Sequence, residues 1–361
     1  TARVEVVPWS MARIRLMDFS LRRLGRRRRC GLWEHMITHL PSYEGVLDAA
    51  RQIDGVAVRT PLIESPALNA AVGGRVLMKA ETLQRAGAFK FRGAYNRISR
   101  LTAEEKARGV VAFSSGNHAQ GVAAAAALVG APAVIVMPSD SPRVKVDGVI
   151  GFGGEVRMYD RWRESREAVG AALAAERGAV LVPPFDDPFV IEGQGTVALE
   201  MLDQADAPLD QLLCGASGGG LMAGINLVMA ERSPSTAVVV VEPDAFDDTA
   251  RSLAAGERQG HPQGAPSICD ALMAPTPGEL TWPINRRLAG AVTVSDGEVA
   301  EAMRFAFRHL KLVIEPGGAV SLAALLAGKV ETKGRTTAIV LSGGNVDPAL
   351  YAQIIEGRFV G

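Results

Sequence analysis

Segments with helical spacing of apolar residues alternate with short, strongly apolar segments along most of the chain. Residues 43–53 follow the helical pattern, whereas residues 109–113 and 133–137 are short and rich in β-branched side chains. Strands that alternate with helices at such intervals predict βαβ units and mostly parallel sheets. Because there are more such strands than one small sheet needs, we expect a three-layer α/β/α protein with two domains.

The same pattern gives approximate bounds for the elements and domains. The predicted strands are residues 76–79, 109–113, 133–137, 155–159, 179–182, 212–214, 237–242 and 337–341. The predicted helices include residues 142–152, 161–177, 191–202 and 317–327, and a helix that starts at a capping-box sequence, residues 295–298, and ends at Leu310. We assign residues 36–100 and 187–361 to a large domain and residues 101–186 to a small one.

The longest uncharged run, residues 119–139, has the length of a membrane span but not its pattern. Gly130 and Pro132 interrupt it, and its alanine-rich first half differs from its β-branched second half. These features predict a buried helix followed by a buried strand.

Charge and cysteine content narrow the class of protein further. Basic and acidic residues both number 39, so bulk charge favours neither nucleic acid nor an anionic membrane as a partner. The three cysteines, Cys30, Cys214 and Cys269, are far apart and odd in number. This indicates neither a disulfide framework nor a Cys-x-x-Cys metal site. We therefore expect a reducing, cytoplasmic location.

The first 35 residues differ from the rest of the chain because they contain many arginines, including a run at residues 26–29. Such a segment is compatible with a targeting leader or with a basic arm for nucleic acid. We favour a third interpretation, in which translation starts at Met36 and residues 1–35 are a disordered extension without a function.

Glycines are concentrated in a turn, residues 215–220, between a predicted strand and a predicted helix. The consecutive glycines from Gly218 to Gly220 let backbone N–H groups converge on an anion at a helix N-terminus. The turn lacks Gly-Lys-Ser/Thr and does not match the dinucleotide fingerprint. A compact phosphate ester is therefore the ligand that fits best, and close helix packing is the alternative explanation.

Three other stretches carry groups suited to chemistry. Lys90 stands between two phenylalanines, and a lysine in apolar surroundings readily loses its proton and can act as a base or an imine-forming amine. A lysine that extends from a half-buried helix to water is the alternative. The turns at residues 114–118 and 342–345 add hydroxyl and amide groups at strand ends. Together with the glycine turn, these groups describe a site for pyridoxal phosphate.

The chain resembles the fold-type II pyridoxal-phosphate enzymes of the serine/threonine dehydratase family, which also contains serine racemases. The resemblance covers about residues 40–350 and rests on the segments GAFKFRGA, SSGNHAQG, IEGQGT, SGGGLMAG, VEPDAFDD, EPGGAV and LSGGN in this order. It implies a tryptophan synthase β-like fold and a homodimer or larger homo-oligomer. Two positions depart from the family pattern: Ala88, where serine is common, and Glu192, where alanine is common.

The resemblance also implies roles for individual residues. Lys90 would hold the cofactor and act as a base, and Ser115 occupies the position of the acid/base that a racemase places on the opposite face. The implied cofactor contacts are Phe89, Lys90, Asn117, Ser217, Gly218, Gly219, Gly220, Leu221, Glu315 and Ser342. The implied substrate contacts are Ser115, Gly116, Asn117 and His118, although His118 alone is equally typical of a structural histidine.

A cation site is a further implication. Family members with this pattern bind a cation through the residues that match Glu242, the carbonyl of Phe246 and Asp248. Oxygen ligands of this kind suit Mg²⁺ or Ca²⁺. An acidic, solvated loop is the alternative explanation.

The implied activity is β-elimination of L-threonine, L-serine or both to 2-oxobutyrate or pyruvate and ammonia, by a catabolic enzyme without a regulatory domain. Two alternatives share the scaffold: an amino-acid racemase, such as a serine racemase, and an ammonia-lyase for 3-hydroxyaspartate or another hydroxy amino acid. A non-catalytic binding module is a different class, and it would be expected to lack the lysine or the phosphate turn.

Overall fold

The computed structural model describes residues 40–114, 116–141, 143–260 and 267–359. The predicted extension at residues 1–35 lies outside these ranges. The strands are β1 (Leu62–Glu64), β2 (Arg75–Ala80), β3 (Val110–Phe113), β4 (Ala133–Pro138), β5 (Glu155–Tyr159), β6 (Val180–Leu181), β7 (Gln211–Gly215), β8 (Ala237–Pro243), β9 (Gly290–Val294) and β10 (Thr336–Leu341).

The helices in the described ranges are α1 (Tyr43–Ile53), α2 (Pro66–Val72), α3 (Lys90–Ser99), α4 (Ala103–Arg108), α5 (Asn117–Val129), α6 (Arg143–Gly151), α7 (Arg166–Arg177), α8 (Pro188–Gln204), α9 (Gly220–Arg232), α10 (Asp248–Ala255), α11 (Trp282–Asn285), α12 (Asp296–Phe305), α13 (Pro316–Leu326) and α14 (Pro348–Ile355). Short 3₁₀ turns occur at Glu81–Leu83, Arg85–Gly87 and Asp270–Leu272, and a π-helical turn, Ala306–Leu310, extends α12.

The described strands form two sheets. Six strands pair in the order β1-β2-β10-β7-β8-β9 and four in the order β5-β4-β3-β6. All neighbouring strands are parallel except β1, which is antiparallel to β2. The prediction of mostly parallel sheets is confirmed.

Both faces of the six-stranded sheet are covered by helices, as its apolar strands require. Along β10, Ala338 and Val340 pack on the side of α1, α8 and α9, whereas Ile339 and Leu341 pack on the side of α12 and α13. Successive side chains of a strand point to opposite faces, so this continuous apolar segment fills two cores. The result is the expected helix–sheet–helix arrangement.

The four-stranded sheet follows the same rule on a smaller scale. Val110 and Ala112 of β3 pack with α3, α5 and α6, whereas Val111 and Phe113 pack with α7. Its strands all fall within residues 110–181, inside the segment assigned to the small domain. The domain boundaries themselves stay a prediction.

The uncharged run at residues 119–139 folds as predicted. Helix α5 ends at Val129, Gly130 takes a left-handed conformation with φ of 71° as its C-cap, and β4 follows at Ala133. Among the described residues, none of the helices has the length and apolar character needed to cross a membrane.

One predicted helix, at residues 161–177, starts too early. Asp160 organises a turn instead: its carbonyl accepts hydrogen bonds from the N–H groups of Arg163 and Glu164. The Glu164 side chain accepts from the N–H of Asp160 at 2.7 Å, and Ser165 then caps α7. These polar side chains satisfy the backbone locally, which is why the turn wins over a longer helix.

The unusual Glu192 has a partner within the fold. It is buried in α8, and its carboxylate accepts a hydrogen bond of 3.2 Å from the N–H of Ser42, the N-cap of α1. A Cβ on Gly45 would overlap this carboxylate. The glutamate therefore joins α8 to the N-terminus of α1, where the helix dipole favours negative charge.

Candidate active site

A cavity lies at the carboxyl ends of β3, β7 and β10, where parallel sheets place their ligands. The turns after these strands line it, together with the first residue of α3. All ten predicted cofactor residues line this cavity, as do Gly116, Asn117 and His118 of the predicted substrate set. Ser115 lies outside the described residues. The motifs that are separate in the sequence thus converge on one site.

Lys90 is the first residue of α3, and its amine is removed from water. Its Nζ donates a hydrogen bond of 2.7 Å to the carbonyl of Pro184 and lies 5.2 Å from the centroid of the Phe89 ring. Burial lowers the pKa of the Lys90 amine to about 8, because a buried ammonium loses hydration. Near neutral pH, a substantial fraction of this amine is therefore free to react.

The segment before Lys90 is attached to the turn after β10. Ala88 pairs with Gly343 in an antiparallel bridge, and the N–H of Phe89 donates to the carbonyl of Ser342 at 3.1 Å. A Cβ on Gly343 would overlap Glu315 Oε1, so this close approach requires glycine. These contacts place the lysine and the hydroxyl of Ser342 on the same cavity.

The glycine turn presents unpaired backbone donors at the start of α9. Among the described residues, the N–H groups of residues 217–222 have no hydrogen-bond acceptor. Gly219 has φ of +88°, and Cβ atoms on Gly218 and Gly219 would overlap Phe185 and approach Asn285. Unpaired N–H groups at the N-terminus of a 13-residue helix are the donors that a phosphate ester needs.

Asn117 is held in a defined orientation at the start of α5. Its Nδ2 donates to Glu315 Oε1 at 2.5 Å, and its Oδ1 accepts from Asn345 at 2.8 Å. Burial raises the pKa of Glu315 to about 7, although the hydrogen bond from Asn117 opposes the shift. The fixed amide retains a second N–H as a donor for a ring oxygen.

His118 is a hydrogen-bonded buried histidine. Its Nε2 lies 2.9 Å from the carbonyl of Val182, and burial lowers the pKa of the imidazole to about 3, with the nearby Lys90 charge acting in the same direction. The neutral ring therefore donates from Nε2, and among the described residues Nδ1 has no partner. The geometry agrees with the structural interpretation of this side chain.

Two basic residues in the cavity were not identified from the sequence. Lys145 of α6 is buried and forms an ion pair with Asp270, and Arg166 of α7 lies with its guanidinium carbon 5.8 Å from the centroid of the Phe113 ring. Both come from helices beside the four-stranded sheet. No motif marks them, since single basic residues on amphipathic helices are usually solvated.

The predicted cation ligands lie at the end of β8, outside the cavity. Asp248 is buried, and among the described residues neither of its carboxylate oxygens has a partner. Burial, followed by the neighbouring Glu242, raises the pKa of Asp248. Glu242 accepts hydrogen bonds from the N–H groups of Thr249 and Ala250. The described residues contain no cluster of three or more His, Cys, Asp or Glu, so a cation remains a hypothesis that the unpaired oxygens of Asp248 favour.

A desolvated lysine, a turn of unpaired N–H groups and a hydroxyl at a strand end together fit pyridoxal phosphate, because they match its aldehyde, its phosphate and its ring nitrogen. The sequence profile described as "Pyridoxal-phosphate dependent enzyme" matches residues 53–343. The chain belongs to this family, within the group that contains ammonia-lyases and amino-acid racemases.

Three relatives define the neighbourhood. The L-threo-3-hydroxyaspartate ammonia-lyase of Pseudomonas sp is 44% identical over 319 residues, which cover 88% of this chain and 99% of that protein. The structure of maize serine racemase has a TM-score of 0.83 and 38% identity, and the match covers 89% of this chain and 98% of that one. The structure of a bacterial-strain (T.th.) threonine deaminase has a TM-score of 0.80 and 42% identity, with 85% and 99% covered.

Proposed function

We propose that the protein is an ammonia-lyase that acts on a dicarboxylic hydroxy amino acid, 3-hydroxyaspartate, and releases oxaloacetate and ammonia. The sequence alone favoured threonine or serine and kept 3-hydroxyaspartate as an alternative. The 44% identity to an enzyme named for that substrate supports the change of preference, and the charges in the cavity support it independently.

The observation that carries the proposal is the pair of cations opposite the glycine turn. The Lys145 ammonium already binds a carboxylate, that of Asp270, and Arg166 lines the same cavity. A second carboxylate on the substrate would meet these charges, and charge-assisted hydrogen bonds to carboxylates are among the strong ones. Serine and threonine have no group that uses them.

The side chains around the cavity divide the remaining tasks. When bound, pyridoxal phosphate supplies the electron sink that makes the α-proton of an amino acid removable. The glycine turn is placed to bind the phosphate and Asn117 to orient the ring. Lys90, with its lowered pKa, is suited both to attach the cofactor and to accept a proton as base. The turn before α5, with Gly116 and Asn117, is placed to bind the α-carboxylate at a helix N-terminus.

Dehydration of threonine or serine is the second candidate, because the features that serve the α-amino acid portion would serve these substrates as well. The 42% identity to a threonine deaminase favours it. Racemisation is a third outcome, and it depends on Ser115, which lies outside the described residues. We also propose a bound Mg²⁺ or Ca²⁺ at Asp248, a cytoplasmic location and a homo-oligomer.

Steady-state assays distinguish these functions. Purified protein would be incubated with L-threo-3-hydroxyaspartate, L-serine and L-threonine, while 2-oxo acid and ammonia are quantified and the remaining amino acid is analysed on a chiral column. The proposal predicts the largest kcat/KM for 3-hydroxyaspartate. A larger value for serine or threonine, or D-amino acid that accumulates faster than oxo acid, would overturn it.

A further inference from the structure

The glycine turn has its carbonyl groups fixed by donors behind it. The carbonyl of Gly218 accepts from the Thr281 hydroxyl at 2.6 Å and from the N–H of Gly278 at 3.1 Å. The carbonyl of Gly219 accepts from the Asn285 amide at 3.0 Å. None of these donors lines the cavity. In a trans peptide the C=O and the following N–H point in opposite directions, so these bonds direct the N–H groups of the turn toward the cavity.

The donors are themselves held in place by Asp186. Its carboxylate accepts hydrogen bonds from the N–H groups of Glu279 and Leu280, at 2.7 Å and 3.1 Å. Both lie between Gly278 and Thr281, the two residues that hold Gly218. A Cβ on Gly278 would overlap the Asp186 carboxylate. One side chain thus fixes the whole of residues 278–281.

Asp186 also belongs to the segment that contacts both halves of the cofactor site. Its neighbour Phe185 packs on Gly218 so closely that a Cβ there would overlap the ring. The preceding residue, Pro184, supplies the carbonyl that accepts from Lys90. A shift of residues 184–186 would therefore reach the glycine turn and the lysine together.

We propose that Asp186 is a positioning residue for phosphate binding: it holds residues 278–281, and these hold the Gly218 carbonyl so that the turn presents its N–H groups to the cofactor phosphate. The inference rests on the cofactor class of the family and on the proposed role of the glycine turn, and it does not depend on which amino acid is the substrate. No sequence motif indicated it.

The test compares two forms of the cofactor. Cofactor-free full-length protein would be titrated with pyridoxal phosphate and with pyridoxal, which lacks the phosphate, and both dissociation constants would be measured from the absorbance of the lysine adduct. Loss of hydrogen bonds to a charged group corresponds to a change of about 10- to 150-fold. We expect Asp186→Ala to weaken pyridoxal phosphate binding by at least about tenfold on this scale and to leave pyridoxal binding unchanged.

Two further variants keep the test decisive. Asp187→Ala is the matched control: Asp187 accepts from the N–H of Val190 and pairs with Arg97, so it should lower the melting temperature and leave both dissociation constants unchanged. Asp186→Asn retains an acceptor oxygen and should fold even if the alanine variant does not, with a smaller loss confined to pyridoxal phosphate.

Three results would overturn the inference. These are folded Asp186 variants with wild-type affinity for pyridoxal phosphate, equal weakening of both ligands, and the same phosphate-specific loss in Asp187→Ala. A wild-type protein that binds the two ligands equally well would overturn the phosphate role of the glycine turn as well. Each result is independent of the substrate assays that test the proposed function.

Discussion

Replacement of Lys145 by methionine tests the substrate class. Methionine keeps most of the apolar stem that α6 buries and removes only the charge. Lys145 contributes one charge-assisted contact to a second substrate carboxylate, worth about 1.5–3 kcal/mol, which corresponds to about 10- to 150-fold in kcat/KM. Because Asp270 already occupies the ammonium and must be displaced, we expect the lower part of this range.

The assay measures kcat/KM for L-threo-3-hydroxyaspartate and for L-serine with the wild type, Lys145→Met and the control Lys333→Met, whose lysine is exposed before β10. Oxaloacetate or pyruvate would be followed with the matching NADH-dependent dehydrogenase. The variant should lose activity on 3-hydroxyaspartate at least about tenfold more than on serine, with KM affected. Equal losses on both substrates would refute the reasoning, since Lys145 would then serve the fold or the shared portion of the substrate.

Three further outcomes follow from buried charges. Arg92→Ala leaves Glu81 and Glu200 without the guanidinium that binds both and should lower the free energy of unfolding by about 3–5 kcal/mol; a loss below about 1 kcal/mol in urea denaturation would contradict this. Mg²⁺ or Ca²⁺ should raise the melting temperature of the wild type but not of Asp248→Asn. Burial raises the pKa of Asp248 to about 8, above its unfolded value, so cation-free stability should fall as pH rises from about 4 to 8 and the cation effect should grow; a cation effect independent of pH would exclude the site. Because the pKa of Lys90 is about 8, the rate at which cofactor-free protein takes up pyridoxal phosphate should rise with pH and level off above about pH 8, whereas an ordinary lysine would still gain up to about pH 10. Stopped-flow absorbance measures this rate.

The parts of the fold that local pattern determines were predictable. The run at residues 119–139 gave α5 and β4 because Gly130 and the change from alanine to β-branched residues mark the boundary in the sequence itself. The start of α7 was misplaced because Asp160 and Glu164 bond to nearby backbone, and such bonds depend on conformation as well as composition.

The candidate site shows the same division. Lys90 and the glycine turn belong to short motifs whose composition is unusual, so they were found from the sequence. Lys145 and Asp270 are 125 residues apart and meet only through the tertiary fold. Asp186 acts through residues more than 90 positions away. Such partners have no local signal, and a single sequence does not identify them.

Covalent mapping of the cofactor tests the central claim most directly. Holoprotein would be reduced with borohydride, digested and analysed by mass spectrometry to locate the phosphopyridoxyl group. The account predicts the group on Lys90 and its loss in Lys90→Ala, whose fold should remain intact by circular dichroism. A phosphopyridoxyl group on another lysine, or none after incubation of the wild type with the cofactor, would contradict the account.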